Sequence, residues 1–336
     1  MFVHDCWYVA AFEDELSRSP MGRRILDEPI VMYRLEDGTP VALEDRCCHR
    51  GLPLSMGETV GDKLRCNYHG LMFASDGHCV AVPGQRTVPS AARVRVYPVA
   101  QRGPVIWIWM GDSSKADEAL IPPYPWHVDA GWRWKSGVFH FECNYELLHD
   151  NLLDLSHVAY VHRYTIGGDP EVHFNTETKV TRTERGLSLA RWMIGSNPPP
   201  TYSKLVPFKG SVDRWQEVDF YPGLISLYSG AIDSREEGLE GPRNGGFQMR
   251  LFDAVTPETH SSTHNFFSAG HNFRLDDSAI TDLLFDELTR TVNEDIVVLN
   301  AQQARAAEGS REFVDIRLDA AGLQARRILE QMRARA

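Results

Sequence analysis

Two short mixed motifs constrain this chain more than anything else in it: Cys47-Cys48-His49 and, after sixteen intervening residues, Cys66-Asn67-Tyr68-His69. Two thiols and two imidazoles make four metal donors, and drawing them from two segments obliges the chain to bring two loops face to face. Zinc accepts a Cys₂His₂ set, and so does a [2Fe–2S] cluster in which two thiolates hold one iron and two imidazoles hold the other. Zinc-finger spacing places the cysteines near each other and the histidines near each other; here each segment carries one of each. A glycine follows each segment, Gly51 and Gly70, and β-rich runs flank both, as two opposed loops at the tip of a small sandwich require. The pattern favours a cluster on Cys47, His49, Cys66 and His69. Cys48, between ligands, reads as a small buried residue. Cys6, Cys79 and Cys143 have no partner pattern and read as buried thiols.

Around these motifs, from Ile25 to about Met110, short β-rich runs alternate with turns. Asp37-Gly38 and Asp76-Gly77 are hairpin signals, and Val105-Ile106-Trp107-Ile108-Trp109 reads as a strand with little polar interruption. This half is an all-β domain. A chain of 336 residues exceeds the roughly 250–300 at which single cores stop growing, and Pro122-Pro123 and Pro125 mark a connection. The expected boundary lies near residue 118, giving domains 1–118 and 119–336. Beyond it, Tyr145 to Ala159 reads as a helix, segments such as Leu187–Ala190 and Leu224–Tyr228 read as strands, and the last sixty residues return to helix. The fold class is α+β, an all-β domain followed by an antiparallel sheet surrounded by helices.

The second domain carries its own constellation. Asp150, Asp154 and His157 follow one another at spacings of four and three, on one helical face. His162 lies five residues beyond His157, so both meet one metal only if the helix ends or unwinds between them. Two histidines and a carboxylate form the facial set of non-haem Fe(II) oxygenases, which leaves positions open for dioxygen. Asp295 supplies the carboxylate. The apolar stripe Leu284, Leu288, Val292, Leu299 places it in a buried seam, with Glu294 among Glu287, Arg290 and Thr291 on the polar face. A carboxylate facing a core needs a metal, a partner charge or a proton.

With 35 basic and 46 acidic residues, a net charge of −11, a nucleic-acid partner and an anionic lipid surface are both disfavoured. The opening residues lack the basic stretch and apolar run of a signal peptide, and no segment approaches a membrane span. The expectation is a soluble, cytoplasmic protein acting on a small molecule.

Together the opening Asp5 to Ala11, the two Cys/His loops, Asn151 to His162 and Asn293-Glu294-Asp295 resemble the Rieske non-haem iron oxygenases over essentially the whole chain. The shorter members, vanillate and dicamba O-demethylases and toluenesulfonate methyl-monooxygenase, are nearest in look. Cys48 departs from the family, which commonly has proline there. The resemblance implies an O₂-dependent monooxygenase or demethylase acting on an aromatic acid, a carboxylate or sulfonate, with ring dihydroxylation or a non-enzymatic electron carrier as alternatives. It implies an NADH-dependent reductase or ferredoxin partner and a cyclic homotrimer. In that trimer Asp154 bridges His157 and, across the interface, His69. Substrate contacts are expected between residues 165 and 290, with Arg191, Trp192, Arg250, Asp253, Asn265, Phe266, Phe267 and His271 as candidates.

Overall fold

The computed structural model describes residues 1–236, 238, 243–308 and 314–335. They divide into two compact units, one of Met1–Ile121 with Thr256–His260, the other of Pro122–Val255 with Ser261–Arg335. The first holds eleven strands: β1 (Cys6–Phe12), β2 (Met21–Ile25), β3 (Glu28–Arg34), β4 (Pro40–Glu44), β5 (Glu58–Val60), β6 (Lys63–Arg65), β7 (Met72–Phe73), β8 (Cys79–Ala81), β9 (Val96–Tyr97), β10 (Val99–Arg102) and β11 (Val105–Met110). They form three antiparallel sheets ordered β1-β11-β10, β2-β3-β4-β9 and β5-β6-β7-β8. β11 lies in the middle of its sheet and is buried at every position, which explains its unbroken apolar run. Asp37-Gly38 turns β3 into β4, with Gly38 at φ +89°, a conformation glycine adopts without the Cβ clash.

The second unit follows the chain as β12 (Arg133–Phe141), α1 (Tyr145–Leu153), α2 (Pro170–Asn175), β13 (Thr178–Arg182), β14 (Leu187–Ser196), α3 (Pro200–Leu205), β15 (Val212–Tyr221), β16 (Leu224–Asp233), β17 (Phe247–Thr259), β18 (Ser262–His271), α4 (Ser278–Glu308) and α5 (Ala320–Arg333). Its seven-stranded sheet is ordered β12-β18-β17-β16-β15-β14-β13. Helix α4 packs on β12 and β18, and α1 packs on α4 and α5. The α+β expectation holds.

Two local expectations are corrected. The helix read as Tyr145–Ala159 stops at Leu153. Asp154 leaves helical geometry at φ −95°, ψ 99°, and its Oδ1 accepts the Ser156 N–H at 2.7 Å, a local side-chain bond that competes with the helix ladder. A single 3₁₀ turn, His157–Ala159, follows. On α4, Glu287 and Thr291 are buried rather than exposed. Glu287 Oε2 accepts Lys204 Nζ at 2.6 Å and Thr201 Oγ1 at 3.3 Å, both from α3. One helix's periodicity carries no record of the element that covers its polar side.

Three histidines are buried without charge. Burial pushes His127 down to about 4 and His149 and His173 to about 3, with nearby arginines adding to the last two. His149 sits against the rings of Tyr145 and Phe220 at 5.6 and 5.3 Å, with no hydrogen-bond partner on either nitrogen. Because the folded pKa lies below the unfolded 6.5, the stability is present above about pH 6.5 and is lost as the unfolded chain takes up protons on acidification. At pH 5 the loss is about 2 kcal/mol per histidine. The melting temperature is expected to fall between pH 7 and pH 5, and His149→Phe to shrink that fall in calorimetry at the two pH values; an undiminished fall in the variant contradicts the assignment.

Candidate cluster site and candidate metal centre

The two Cys/His loops close in the same way. Cys47 N–H donates to Leu52 O and Gly51 N–H to Cys47 O, both at 2.9 Å; Cys66 N–H donates to Leu71 O at 2.8 Å and Gly70 N–H to Cys66 O at 2.9 Å. Gly51 and Gly70 share φ +74°, so each loop turns through a left-handed residue. Cys47 and Cys66 lie in the unit's apolar core at 3% and 1% exposure, whereas His49 and His69 are exposed, their ring centroids 4.5 Å apart. Burial pushes the Cys47 thiol up to about 11, and Cys66 beside it adds to the shift. A buried thiol so disfavoured as a thiolate becomes a ligand when a metal cation takes the place of its proton. Among the described residues the one set of three His, Cys, Asp or Glu donors within 4.8 Å of one another lies elsewhere. These four are thus not drawn together as a single tetrahedral zinc would draw them, and they fit a two-iron cluster. Cys48 is exposed, not buried as expected, because its neighbour Cys47 takes the inward position of the loop.

That other set is His157, His162 and Asp295. The Nε2 atoms of the histidines stand 3.2 Å apart, and Asp295 Oδ1 lies 3.6 Å from His157 Nε2 and 3.2 Å from His162 Nε2. A metal about 2.1 Å from three donors at right angles gives donor separations of about 3.0 Å. The Nδ1 atom of His157 faces the Asp154 carbonyl, and that of His162 faces Glu294 Oε2 at 2.7 Å. Both partners only accept, so each Nδ1 carries the proton and each Nε2 presents a lone pair. Three electron pairs thus converge on one point, and a cation satisfies them. Asn151 Nδ2 donates to Asp295 Oδ1 at 2.9 Å and holds it in place. Burial alone disfavours charge on His162, but Asp295 and Glu294 outweigh it and raise its pKa.

The unwinding after Leu153 is what brings the histidines together. Thr165 N–H and Gly167 N–H both donate to His162 O, at 3.0 and 2.8 Å. A Cβ on Gly167 would stand 2.7 Å from His162 O and 2.8 Å from Val158 O, so the loop tolerates no side chain there. Asp154 meets His157 within the chain through its main-chain carbonyl, while its carboxylate is engaged with Ser156 and lines a groove with Arg191.

An apolar cleft of about 80 Å³ opens on the three donors. Strand alternation decides which candidates reach it. Leu251 and Asp253 of β17, Ile225 and Leu227 of β16, Gln216 of β15 and Phe267 of β18 line it, with Leu288 and Val292 of α4. Asn265 lies behind Asp253, its Nδ2 donating to Oδ1 at 3.1 Å. Phe266 points to the opposite face of β18 and Arg250 to the opposite face of β17, where it stacks on Tyr228 at 4.0 Å. Trp192 is exposed. His271 spends both nitrogens on Phe273 O and Thr281 Oγ1, at 2.8 and 2.9 Å. The structure gives site roles to three residues for which the sequence pattern assigned none: Glu294, expected on a polar helix face but bonded to His162, Asn151, bonded to Asp295, and Gln216, which lines the cleft.

Residues 6–98 match the Rieske [2Fe-2S] domain and residues 141–335 the vanillate O-demethylase oxygenase C-terminal domain. The chain belongs to the Rieske oxygenases. It is 36% identical over 337 residues to the iron–sulfur subunit of a toluene-4-sulfonate monooxygenase system from Comamonas testosteroni, covering 99% of this chain and 97% of that one. It is 37% identical to the dicamba O-demethylase oxygenase component of Stenotrophomonas maltophilia, covering 91% and 89%. A crystal structure of dicamba monooxygenase with non-heme iron and dicamba superposes with a TM-score of 0.84 at 32% identity, covering 99% and 98%. This Rieske oxygenase is therefore an oxidoreductase, the oxygenase component of a multicomponent monooxygenase, with a [2Fe–2S] domain at its N-terminal end. Among the described residues no helix is long and apolar enough to cross a membrane.

Loss of a partner that orients a ligating histidine costs roughly 10–100-fold in metal affinity. Glu294→Ala is expected to lose iron by that factor on dialysis against a chelator, with the visible spectrum of the cluster unchanged; iron retention equal to the parent protein's contradicts the role given to Glu294.

Proposed function

We propose that the chain hydroxylates a methyl or methoxy carbon of an aromatic acid, a carboxylate or sulfonate, with dioxygen and two electrons drawn from NADH by a separate reductase. One oxygen atom enters the C–H bond and the other leaves as water with two protons. A methoxy carbon so hydroxylated is a hemiacetal, which separates into formaldehyde and a phenol; an aryl methyl becomes an alcohol. The observation that carries this reading is the convergence of His157, His162 and Asp295 on one point at the edge of an apolar cleft. The names of the relatives, which act on toluene-4-sulfonate, vanillate and dicamba, support the substrate class.

In this reading Cys47, His49, Cys66 and His69 hold the cluster, and His157, His162 and Asp295 hold the iron. When bound, the cluster relays single electrons and the iron activates dioxygen. The protein's part is positional. Glu294 and the Asp154 carbonyl fix the imidazole tautomers, Asn151 holds Asp295, and the aliphatic lining of the cleft excludes water and places the reacting carbon. His49 and His69 are exposed while the cysteines are buried, which suits electron transfer to a neighbouring copy in a cyclic trimer. There Asp154, beside His157, would meet that copy's His69.

A single-turnover experiment tests this: the purified protein is chemically reduced, freed of reductant and exposed to dioxygen with methoxybenzoates, methylbenzoates and arenesulfonates. Formaldehyde with a phenol, or a benzylic alcohol, is expected from one of them. His157→Ala and Asp295→Ala are expected to lower product by more than the roughly 10–100-fold that loss of an outer partner costs, with the cluster's colour retained. No product from iron-replete protein overturns the proposal.

A further inference from the structure

Among the described residues Asp253 is the one charged group that lines the cleft besides the three converging donors, and no lysine or arginine lines it. The side chain is 4% exposed. Among the described residues its hydrogen-bond partner is Asn265 Nδ2, 3.1 Å from Oδ1, although a carboxylate has about four acceptor sites. The register fixes where it points: Asp253 stands opposite Ile225, and Leu227 opposite Leu251, all four on the cleft face of the sheet. Asn265 Oδ1 and Gln216 Oε1 are also buried without partners, so acceptors outnumber donors at this end. Burial raises the Asp253 carboxyl to about 7, with Asp295 pushing it further against the opposing hydrogen bond from Asn265. With Asp295 given over to the iron, an anionic group placed beside Asp253 would meet a second buried carboxylate with no lysine or arginine among the described lining residues to pair with it, an arrangement that a low-dielectric site penalises.

We propose that Asp253 is the residue that selects the substrate's polar substituent, accepting a hydrogen bond from a ring hydroxyl or amino group, and that the substrate's acidic group lies away from it. The inference rests on the oxygenase reading and narrows its substrates to aromatic acids bearing such a donor. A site built to receive a donor discriminates strongly against an analogue that lacks it, because the buried acceptor is then left unpaired.

The test uses the holoenzyme under anaerobic conditions, where ligands bind without turnover. Calorimetry compares 3-methoxybenzoate with its 2- and 4-hydroxy and 2- and 4-amino derivatives and with the corresponding methyl ethers. At least one donor-bearing compound is expected to bind tenfold or more tighter than both its parent and its ether. Asp253→Leu is expected to erase that ratio and the isosteric Asp253→Asn to keep part of it, with cluster spectrum and iron content unchanged in both. Equal binding of donor and ether by the parent protein, a ratio that survives in Asp253→Leu, or no binding of any member overturns the inference. Admitting dioxygen afterwards separates it from the reading beneath it. Donor-dependent binding without formaldehyde leaves Asp253's role standing and removes the proposed reaction; formaldehyde at equal KM from ligands with and without the donor does the reverse.

Discussion

Three lone pairs aimed at one point organise the second unit. His157 Nε2, His162 Nε2 and Asp295 Oδ1 stand 3.2–3.6 Å apart, and the acceptors behind the two Nδ1 atoms engage the Nδ1 protons, so the Nε2 lone pairs face a position that calls for positive charge, a metal ion or a proton on His162. Without a cation this arrangement of buried acceptors is unfavourable. Much of the surrounding structure holds it: the early end of α1, the 3₁₀ turn, the glycine at 167 and the length of α4 that carries both Glu294 and Asp295.

The cluster loops solve a similar problem by repetition. Each places its cysteine in the core and its histidine outside, closes with the same pair of main-chain hydrogen bonds and turns through a glycine at φ +74°. The closure of each loop is thus made by main-chain groups. Cys48 occupies an exposed position where the family commonly has proline, and the loop closes around it nonetheless.

Strand parity decides which side chains line the cleft. The cleft-lining residues of β15, β16, β17 and β18 alternate with residues on the opposite face of the sheet, so Asp253 and Phe267 face the cleft while Arg250 and Phe266 do not. Arg250 is taken up by an aromatic surround of Tyr228, Trp126 and Trp132. The charge that a scan for basic residues would assign to an acidic substrate is thereby withdrawn, and a carboxylate is presented instead.

Much of this was legible in the residues alone. Mixed Cys/His pairs at fixed spacing specify a two-loop metal site because few other arrangements use four such donors, and a carboxylate interrupting an apolar helical stripe announces a buried need for a cation. Hairpin dipeptides and the unbroken run of β11 gave the all-β half. What periodicity did not carry was the end of α1, where a local Asp154–Ser156 bond overrides a continuing helical pattern, and the burial of Glu287, which depends on α3 packing against it. Glu294's contact with His162, and the separation of Asp253 from Arg250 on opposite faces of β17, were likewise settled by tertiary structure. The reason is physical: sequence records which faces an element has, and packing alone decides what each face meets.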